Sequence, residues 1–521
     1  METAFEREHR DSIVGVVTTI DRLIVHGHLR SFWYRGGFDR FLDLQGLKTR
    51  DFGRHVQEVS ARVKEHAQKV AAKAGRPFIY QTSVVRGKDD LARAIAKRDG
   101  VTEGLVCVFS TLEMASSFTV VRGSIVPRQR RCLHLYFYVV DREFGLMHIQ
   151  LQTWFPFRIQ IWVNGREWLA RQLDKRGVGY LRYENTFVQI DDLGAARRLC
   201  EGLSKRKWWR LFDALARKVN PVLPLVQKLG FGSYYWSIDA CEVATDVMWE
   251  SRRRLLGIRD DLFDHAMRAF SATDVVRFLG RKILPGRADL ESSHRRFAAQ
   301  GEAKLAQRRR PEARRIKHRV RKNSIKMYDK WSVLRIETVI NNPYEFRVLR
   351  FEEDKRGRRR GRWMRMGKGI QNLSRFVEVG TAANHRYLDA LSVVKPTRGA
   401  IAELDGLCRG RVVRGRRHAR FNPVAQGDCQ LFAAVLAGAH AINGFRNRDL
   451  QTHLYPGPAR TPDEARRRCN RVCRLIGKLR GHRLVAKVPG SRLYRVTSRG
   501  NRVMAAALRF RHADFPEAMA A

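Results

Sequence analysis

The sequence predicts an α+β fold of several domains, with a mixed or antiparallel sheet in its central region. Alternating apolar patterns typical of strands and 3.6-residue patterns typical of helices both recur along the chain. Hydrophobic residues make up 44% of the 521 residues, which is a normal proportion for a globular protein. A chain of this length is expected to form about three domains. The patterns divide it into four regions, which are residues 1–130, 131–300, 301–395 and 425–510.

Residues 1–130 are expected to form an N-terminal α/β domain. An amphipathic pattern over residues 56–75 predicts a helix that a glycine ends. A strand over 76–83, a helix over 88–100 and a buried strand over 104–113 follow. Strand, helix and strand in this order indicate a βαβ unit.

Residues 131–300 are expected to form antiparallel sheet followed by helices. Two alternating segments, 131–140 and 144–155, are joined by a short polar stretch and predict a hairpin. A third strand is expected over 157–163 and, after a helix, a fourth over 185–191. The pattern from residue 196 to about 300 is expected to be helical.

Two arginine-rich stretches, residues 295–322 and 352–369, flank a predicted hairpin at 324–340. Charge runs are usually solvated loops. The second stretch mixes its arginines with glycine and tryptophan, which permits close backbone approach and stacking on bases. We therefore expect both stretches to be arms that contact phosphates. The candidate nucleic-acid-binding residues of the second arm are Arg358, Arg359, Arg360, Arg362 and Trp363.

The charge of the chain indicates a polyanionic partner. Lys and Arg total 101 against 52 Asp and Glu, a net charge of +49, and such an excess repels itself in a compact fold. Neutralised phosphates release counterions, so DNA or RNA is the expected partner. A membrane is not expected, because no stretch approaches the roughly 18 apolar residues of a spanning helix. Eight scattered cysteines without a Cys-x-x-Cys pair, and a start without a signal-peptide core, indicate the cytoplasm.

Residues 425–510 predict three helices, a two-stranded hairpin and a closing helix. The helices are expected over 425–444, 445–455 and 462–483, and the last begins after Thr461-Pro462. The segment LVAKVPGSRLYRVTSRG and this element order resemble the winged helix-turn-helix domains of bacterial regulators. The resemblance implies that the third helix enters the major groove, where arginine reads guanine. The residues that it assigns to nucleic acid are Arg466, Arg467, Arg468, Asn470, Arg471, Arg474, Lys487, Arg492 and Arg495. Winged helices also serve as protein–protein modules, so that alternative stays open.

A second constellation lies in the hairpin 324–340. Alternation places Tyr328 and Lys330 on one face of the first strand, and Arg335 and Glu337 on one face of the second. A tyrosine can attack a phosphodiester while cations offset the charge that grows on the phosphoryl oxygens. The segment 324–343 resembles the Tyr-x-Lys…Arg-x-Glu strand pair of rolling-circle replication initiators. The resemblance implies that Tyr328 is the nucleophile and that Glu337 holds Mg or Mn.

The histidines that such initiators use for a metal are not evident. His26 and His28 have the required spacing, but a glycine stands between them. His134 and His148 lie on the two strands of the predicted 131–155 hairpin, where they could be neighbours. For both the hairpin and the histidines a structural role stays the simpler alternative.

Three functions follow from these observations. The first is a nucleic-acid-binding protein associated with replication or a mobile element. The second is a DNA nicking and joining nuclease, and the third is an RNA-binding component of a ribonucleoprotein. In the third, an aromatic cluster clasps RNA, formed by Trp208, Trp209, Tyr234, Tyr235 and Trp236. The chain also resembles a large group of bacterial hypothetical proteins, which implies a bacterial origin and no particular chemistry. No phosphate-binding glycine loop is present, so nucleotide hydrolysis is not expected.

Overall fold

The fold is α+β, as the sequence predicts. The computed structural model describes residues 2–34, 36–81, 87–270, 272–280, 301–307, 314–353, 359–394, 404–413, 415–438, 440, 444–455 and 457–514. Its strands are β1 Ile13–His28, β2 Phe78–Tyr80, β3 Gly104–Val121, β4 Ser124–Asp141, β5 Gly145–Gln152, β6 Ile159–Asn164, β7 Tyr180–Tyr183, β8 Thr186–Ile190, β9 Tyr235–Trp249, β10 Gly301–Gln307, β11 Arg314–Val320, β12 Asn323–Lys330, β13 Val333–Ile340, β14 Arg347–Glu353, β15 Arg359–Arg365, β16 Arg411–Val413, β17 Arg416–His418, β18 Val485–Lys487 and β19 Tyr494–Val496.

The helices of the described residues surround these strands. They are α1 Ala4–Glu8, α2 Gly37–Asp43, α3 Phe52–Lys73, α4 Lys88–Arg98, α5 Gly165–Asp174, α6 Leu193–Ser204, α7 Trp208–Val219, α8 Leu223–Lys228, α9 Arg252–Ala269, α10 Ala272–Phe278, α11 Leu373–Leu391, α12 Gln426–Val435, α13 Asn447–Leu454, α14 Pro462–Gly481 and α15 Ser498–Arg509. Short 3-10 turns join some of these elements.

Eleven strands form one central mixed sheet in the order β10-β11-β12-β13-β9-β1-β6-β5-β4-β3-β2. Only β2 and β3 run parallel within it, joined by α4, which confirms the predicted βαβ unit. The other neighbours are antiparallel, including the predicted β4–β5 hairpin. The sheet takes strands from residues 1–130, 131–300 and 301–395, so these three regions share one hydrophobic core.

β1 and β9 form the middle of the sheet and give it two different faces. Val243 of β9 packs against Gly380 of α11, where a β-carbon would come within 2.7 Å of the valine side chain. Asn384 of the same helix donates to the Val243 carbonyl over 2.9 Å. Asp246, three residues farther along β9, instead faces Arg166 of α5. Since successive strand residues point to opposite faces, α11 and α5 cover the sheet from opposite sides.

The structure corrects three sequence-based predictions about this region. Residues 235–249, expected to be helical, form strand β9 in the middle of the sheet. Residues 314–320, expected to belong to an arm that contacts phosphates, form strand β11, with Ile316, His318 and Val320 buried in the sheet. The strand predicted over 185–191 is β8, but it pairs with β7 in a separate two-stranded sheet. Residues 281–300 and 308–313 of the expected first arm lie outside the described residues.

The C-terminal elements are α12, α13, α14, the hairpin β18–β19 and α15. Their common core contains Leu450, Val472, Ile476, Leu484 and Val503, all buried. The first helix ends at Val435, earlier than the predicted Gly444, whereas α14 begins after Thr461 as expected. No helix within the described part of the chain is both long and apolar enough to cross a membrane.

Gly500 explains the Thr-x-x-Gly sequence at the start of α15. The Thr497 hydroxyl accepts from the Gly500 amide over 2.9 Å and donates to the Arg483 carbonyl over 2.8 Å. A β-carbon at position 500 would lie 1.9 Å from the Leu484 carbonyl oxygen, so only glycine fits. Helix α15 therefore packs directly against the backbone of Leu484, the residue before β18.

We predict that Gly500→Ala destabilises the C-terminal unit by about 2 kcal/mol or more, because backbone atoms must move to accept the methyl group. Urea unfolding followed by circular dichroism measures this effect. The matched control is Gly477→Ala in α14, where a β-carbon meets nothing within 4 Å. That change should stabilise the protein by about 0.5–1 kcal/mol, the ordinary gain of alanine over glycine in a helix. Equal unfolding curves for Gly500→Ala and the unsubstituted protein would contradict the packing argument.

Candidate functional site

Of the predicted constellation of the β12–β13 hairpin, Tyr328, Arg335 and Glu337 lie together in the structure. Tyr328 lies opposite Arg335, and Lys326 lies opposite Glu337. The Tyr328 hydroxyl donates to Glu337 Oε2 over 2.7 Å and lies 3.4 Å from Arg335 Nη1. Lys326 Nζ forms an ion pair with Glu337 Oε1. Lys330 is separate from this group, because it contacts Asn185 over 2.7 Å and Glu184 over 2.6 Å, at the β7–β8 turn.

The surroundings of the hairpin are more buried than its sequence indicates. β12 and β13 lie inside the sheet, between β11 and β9, and every residue of β13 is buried. Arg335 is 1% exposed and Glu337 2%. Tyr328 and Lys326 are the partly exposed members of the group. Among these hairpin residues, solvent thus reaches the group at Lys326 and Tyr328.

Asp246 of β9 joins the hairpin to helix α5 through two buried arginines. It accepts from Arg166 Nη2 over 3.1 Å and from Arg335 Nε over 2.7 Å, and all three side chains are buried. Arg335 Nη2 also donates to Thr186 of β8 over 2.6 Å. Burial alone would raise the pKa of Asp246, but the guanidinium groups of Arg166 and Arg335 outweigh it and hold that pKa below its ordinary value. Neither Asp246 nor Arg166 carries a sequence motif that reveals this role.

Two further carboxylates lie beside Glu337. Asp21 stands at a bulge of β1, and Glu242 is on β9. One oxygen from each of Asp21, Glu242 and Glu337 lies within 4.8 Å of the others. Burial and then the negative charge of Glu337 raise the pKa of Glu242. Three oxygen donors of this kind suit Mg²⁺ or Mn²⁺.

The charges of the group already balance. Arg22 contacts Glu242 over 2.5 Å, and Arg166 Nε lies 2.7 Å from Asp21 Oδ1. With Asp246, Glu337, Lys326 and Arg335, the group contains four carboxylates and four cations. The cluster is therefore stable as a network of ion pairs, and a bound divalent ion would have to displace a cation such as Lys326 from its carboxylate. We call these eight residues together with Tyr328 the ion network.

The histidine candidates do not join the ion network. His26 and His28 lie within β1, a strand the sequence did not clearly indicate there, and burial lowers the pKa of each to about 4. His26 contacts Arg158 and Gln160, each over 2.8 Å. His134 pairs with Gln152, and His148 pairs with Tyr138, so these two histidines are not cross-strand neighbours. The sequence-based expectation that they could be neighbours is wrong, because it assumed a different register.

The exposed face of α14 carries most of the C-terminal candidate residues. Arg466, Arg467, Asn470, Arg471 and Arg474 are exposed, opposite a buried stripe that contains Val472, Ile476 and Leu479. No ion pair with a described residue is formed by these four arginines. Arg468 differs, because it forms an ion pair with Glu464 over 2.6 Å and donates to the Gly457 carbonyl over 2.6 Å.

The remaining candidates lie on two hairpins. Lys487, Arg492 and Arg495 are exposed on β18–β19 and the loop between these strands. Arg359, Arg360, Arg362 and Trp363 lie on β15, all exposed, and Arg358 lies outside the described residues. This second arm is thus a regular hairpin of β14 and β15, with the register Leu349 opposite Trp363.

The five aromatic residues expected to clasp RNA do not form one exposed cluster. Trp208, Tyr234 and Trp236 are buried in the core, Trp209 is exposed, and Arg30 stacks over Tyr235 at 3.2 Å. The β14–β15 hairpin and the turn before it instead present exposed rings beside guanidinium groups. Arg359 lies 5.0 Å from the Phe351 ring, Arg365 5.0 Å from Tyr344, and Arg375 5.4 Å from Trp363.

Comparison with known proteins gives no relative for this arrangement. No protein family, no curated protein and no solved structure matches the chain.

We predict that Asp246→Asn lowers the free energy of unfolding by about 3 kcal/mol at neutral pH, because two buried guanidinium groups lose the buried carboxylate that they share. The folded-state pKa of Asp246 is depressed, so its stabilising effect is present above the unfolded value near pH 4 and is lost as the pH falls further. The difference between variant and unsubstituted protein should therefore shrink below about pH 4. Urea titrations at several pH values test this, with the exposed Asp43→Asn as control. A pH-independent difference would contradict the charge-pair explanation.

Proposed function

We propose that the protein binds nucleic acid, and that residues 425–510 are a winged helix that binds duplex DNA. The observation that carries the proposal is the exposed face of α14. Arg467, Asn470, Arg471 and Arg474 follow one another at the i, i+3, i+4 and i+7 positions of a helix, so they form one surface. None of the three arginines has an ion-pair partner among the residues that the structure describes. Their charge therefore remains available for a phosphate or a base.

The arrangement of the neighbouring elements suits insertion of α14 into a major groove. Arginine presents paired donors that match the O6 and N7 acceptors of guanine, and asparagine matches adenine. In a winged helix the third helix contacts base edges, while the hairpin contacts the adjacent backbone. Lys487, Arg492 and Arg495 on the β18–β19 hairpin would supply the backbone contacts. A protein-binding winged helix would not need a surface made almost entirely of arginine.

The β14–β15 hairpin is proposed to bind further DNA or RNA. Three exposed rings, each with a guanidinium at 5.0–5.4 Å, combine stacking surfaces with positive charge. Unpaired bases stack on such rings whatever their sequence, while arginines contact the phosphates. A role in replication or in a mobile element is supported by the resemblance of residues 324–343 to rolling-circle initiators.

A second candidate function is a DNA nicking and joining nuclease, favoured by the contact between Tyr328 and Glu337. Burial raises the pKa of Tyr328 far above its ordinary value, so its hydroxyl is neutral. In this reaction the Tyr328 oxygen bonds to phosphorus, its proton passes to Glu337, and one ester bond of the phosphodiester breaks. The released sugar oxygen takes up a proton and becomes a hydroxyl. Asp21, Glu242 and Glu337 would hold Mg²⁺ or Mn²⁺, which offsets charge on the phosphoryl oxygens.

We predict that the triple change Arg467→Glu, Arg471→Glu and Arg474→Glu weakens duplex DNA binding by at least about 100-fold, since each base-contacting arginine contributes about 1–3 kcal/mol. Fluorescence anisotropy with labelled duplexes, at several salt concentrations, measures the affinity. The matched control reverses three exposed charges on α3 with the same change in net charge, as Arg62→Glu, Lys64→Glu and Lys73→Glu.

The two triple variants separate the proposed site from general attraction. A specific site requires that the α14 variant lose far more affinity than the α3 variant. Equal losses would show that the net charge of +49 alone attracts DNA. Lys487→Ala should reduce the slope of log affinity against log salt by about 1 if this lysine contacts one phosphate.

We predict a covalent adduct between the protein and a DNA strand in the presence of Mg²⁺ or Mn²⁺, and its loss in Tyr328→Phe. Denaturing electrophoresis of a labelled oligonucleotide detects the adduct. Tyr80→Phe is the control, because Tyr80 is exposed and lies outside both the ion network and the rings proposed to stack on bases. Glu337→Gln should also abolish the adduct by removing the proton acceptor. If the adduct persists in Tyr328→Phe, or if the unsubstituted protein forms none, the nuclease function is rejected.

A further inference from the structure

A cavity of about 580 Å³ lies at the start of α9, and neither proposed function uses it. It is formed where the end of β9 meets the N-terminal segment and the first turns of α9. His9, Ser12, Trp249, Ser251, Arg253 and Arg254 are among its lining residues. These residues belong to two parts of the sequence that are more than two hundred residues apart.

The sequence of α9 is unusual for the start of a helix. A helix N-terminus is positive because its first amides have no carbonyl partner, and acidic residues normally occupy the first turn. α9 begins instead with Arg252, Arg253 and Arg254, and no acidic residue lies in its first turn. Arg254 contacts Glu250 over 3.5 Å, at an exposed position. Arg253 is exposed and forms no ion pair with any residue within the described ranges. The helix dipole and the three arginines thus concentrate positive charge at the start of α9.

Trp249 gives an independent indication of a ligand. Its side chain is 3% exposed, and its Nε1–H finds no hydrogen-bond acceptor among the described residues. A buried donor without an acceptor costs about 1–3 kcal/mol, so a ligand that accepts this hydrogen bond is stabilised at the site. The Ser251 hydroxyl accepts from the Arg254 amide over 3.3 Å, which leaves its own proton free to be donated.

We propose that this cavity binds a phosphate group. Indole N–H, hydroxyl, guanidinium and helix amide groups are all donors, and a phosphate offers only acceptors together with negative charge. A cation would be repelled by Arg253, and a neutral ligand would leave the excess positive charge without compensation. The site depends on neither the winged helix nor Tyr328, because it is built from different elements. It can therefore be tested separately.

The experiment is isothermal titration of the full-length protein with inorganic phosphate. The unsubstituted protein should give saturable binding, and Trp249→Phe should weaken it by about tenfold or more, the effect of one hydrogen bond to a charged group. Arg253→Gln, an exposed change that leaves the core intact, should also weaken binding. Trp209→Phe and Arg210→Gln are the matched controls, because both residues are exposed on α7. These controls should bind as the unsubstituted protein does.

Two oligonucleotides, one with a 5′-phosphate and one with a 5′-hydroxyl, show where the phosphate comes from. Both oligonucleotides are tested with the Arg253→Gln variant and with the Arg210→Gln variant. Binding to α14 and to the β14–β15 hairpin should be the same in these two variants, so a difference between them reports on the cavity. If the Arg210→Gln variant prefers the 5′-phosphate and the Arg253→Gln variant does not, the cavity binds the phosphate at the end of a nucleic acid strand. Equal binding of the two, with tight binding of inorganic phosphate, identifies a free phosphate. The proposal is overturned if inorganic phosphate gives no saturable heat, or if Arg253→Gln and Trp249→Phe bind it unchanged.

Discussion

The buried charge pair between Asp246 and two arginines is the interaction on which the middle of the structure depends. Each of these charges would be very costly to bury alone, and together they satisfy one another. Arg166 belongs to α5, Asp246 to β9 and Arg335 to β13, so one set of contacts fixes a helix and two strands. A slip of β13 by one residue would turn Arg335 to the face of α11 and leave Asp246 with half of its partners. The register that places Tyr328 beside Glu337 follows from this constraint.

The charges therefore balance in the buried ion network, whereas the surface carries an excess of positive charge. In the ion network four carboxylates meet four cations, and no charge is left over. The excess of +49 must then lie on the surface, on elements such as α14, β15 and the start of α9. Surface repulsion of this size weakens a compact fold, and a polyanion relieves it when it neutralises the exposed groups. A single extended nucleic acid, rather than several small anions, would neutralise arginines so far apart in the sequence.

The sequence could predict what local patterns determine. The β12–β13 hairpin and the contact between Tyr328 and Glu337 follow from alternation across a tight turn, and the βαβ unit follows from three adjacent elements. Asp21 and Glu242 could not be found, because β1 and β9 are separated by about two hundred residues and only their pairing brings these carboxylates to Glu337. The sequence did contain a signal that residues 314–320 form a strand and not an arm. Ile316, His318 and Val320 alternate with arginine and lysine, which is the pattern of a strand with one buried face. The charge of the segment obscured that pattern.

The ion network links the stability of the fold to the chemistry proposed for Tyr328. A neutral, largely buried phenol can attack phosphorus only if a neighbouring group accepts its proton, and Glu337 is the group in contact. Glu337 also forms an ion pair with Lys326, and Arg335 lies two residues away on β13. A metal bound to Glu337 would compete with Lys326 for the same carboxylate oxygens. In the nuclease reaction proposed here, the ion pairs that hold the strands in register would also hold Glu337 beside the Tyr328 hydroxyl.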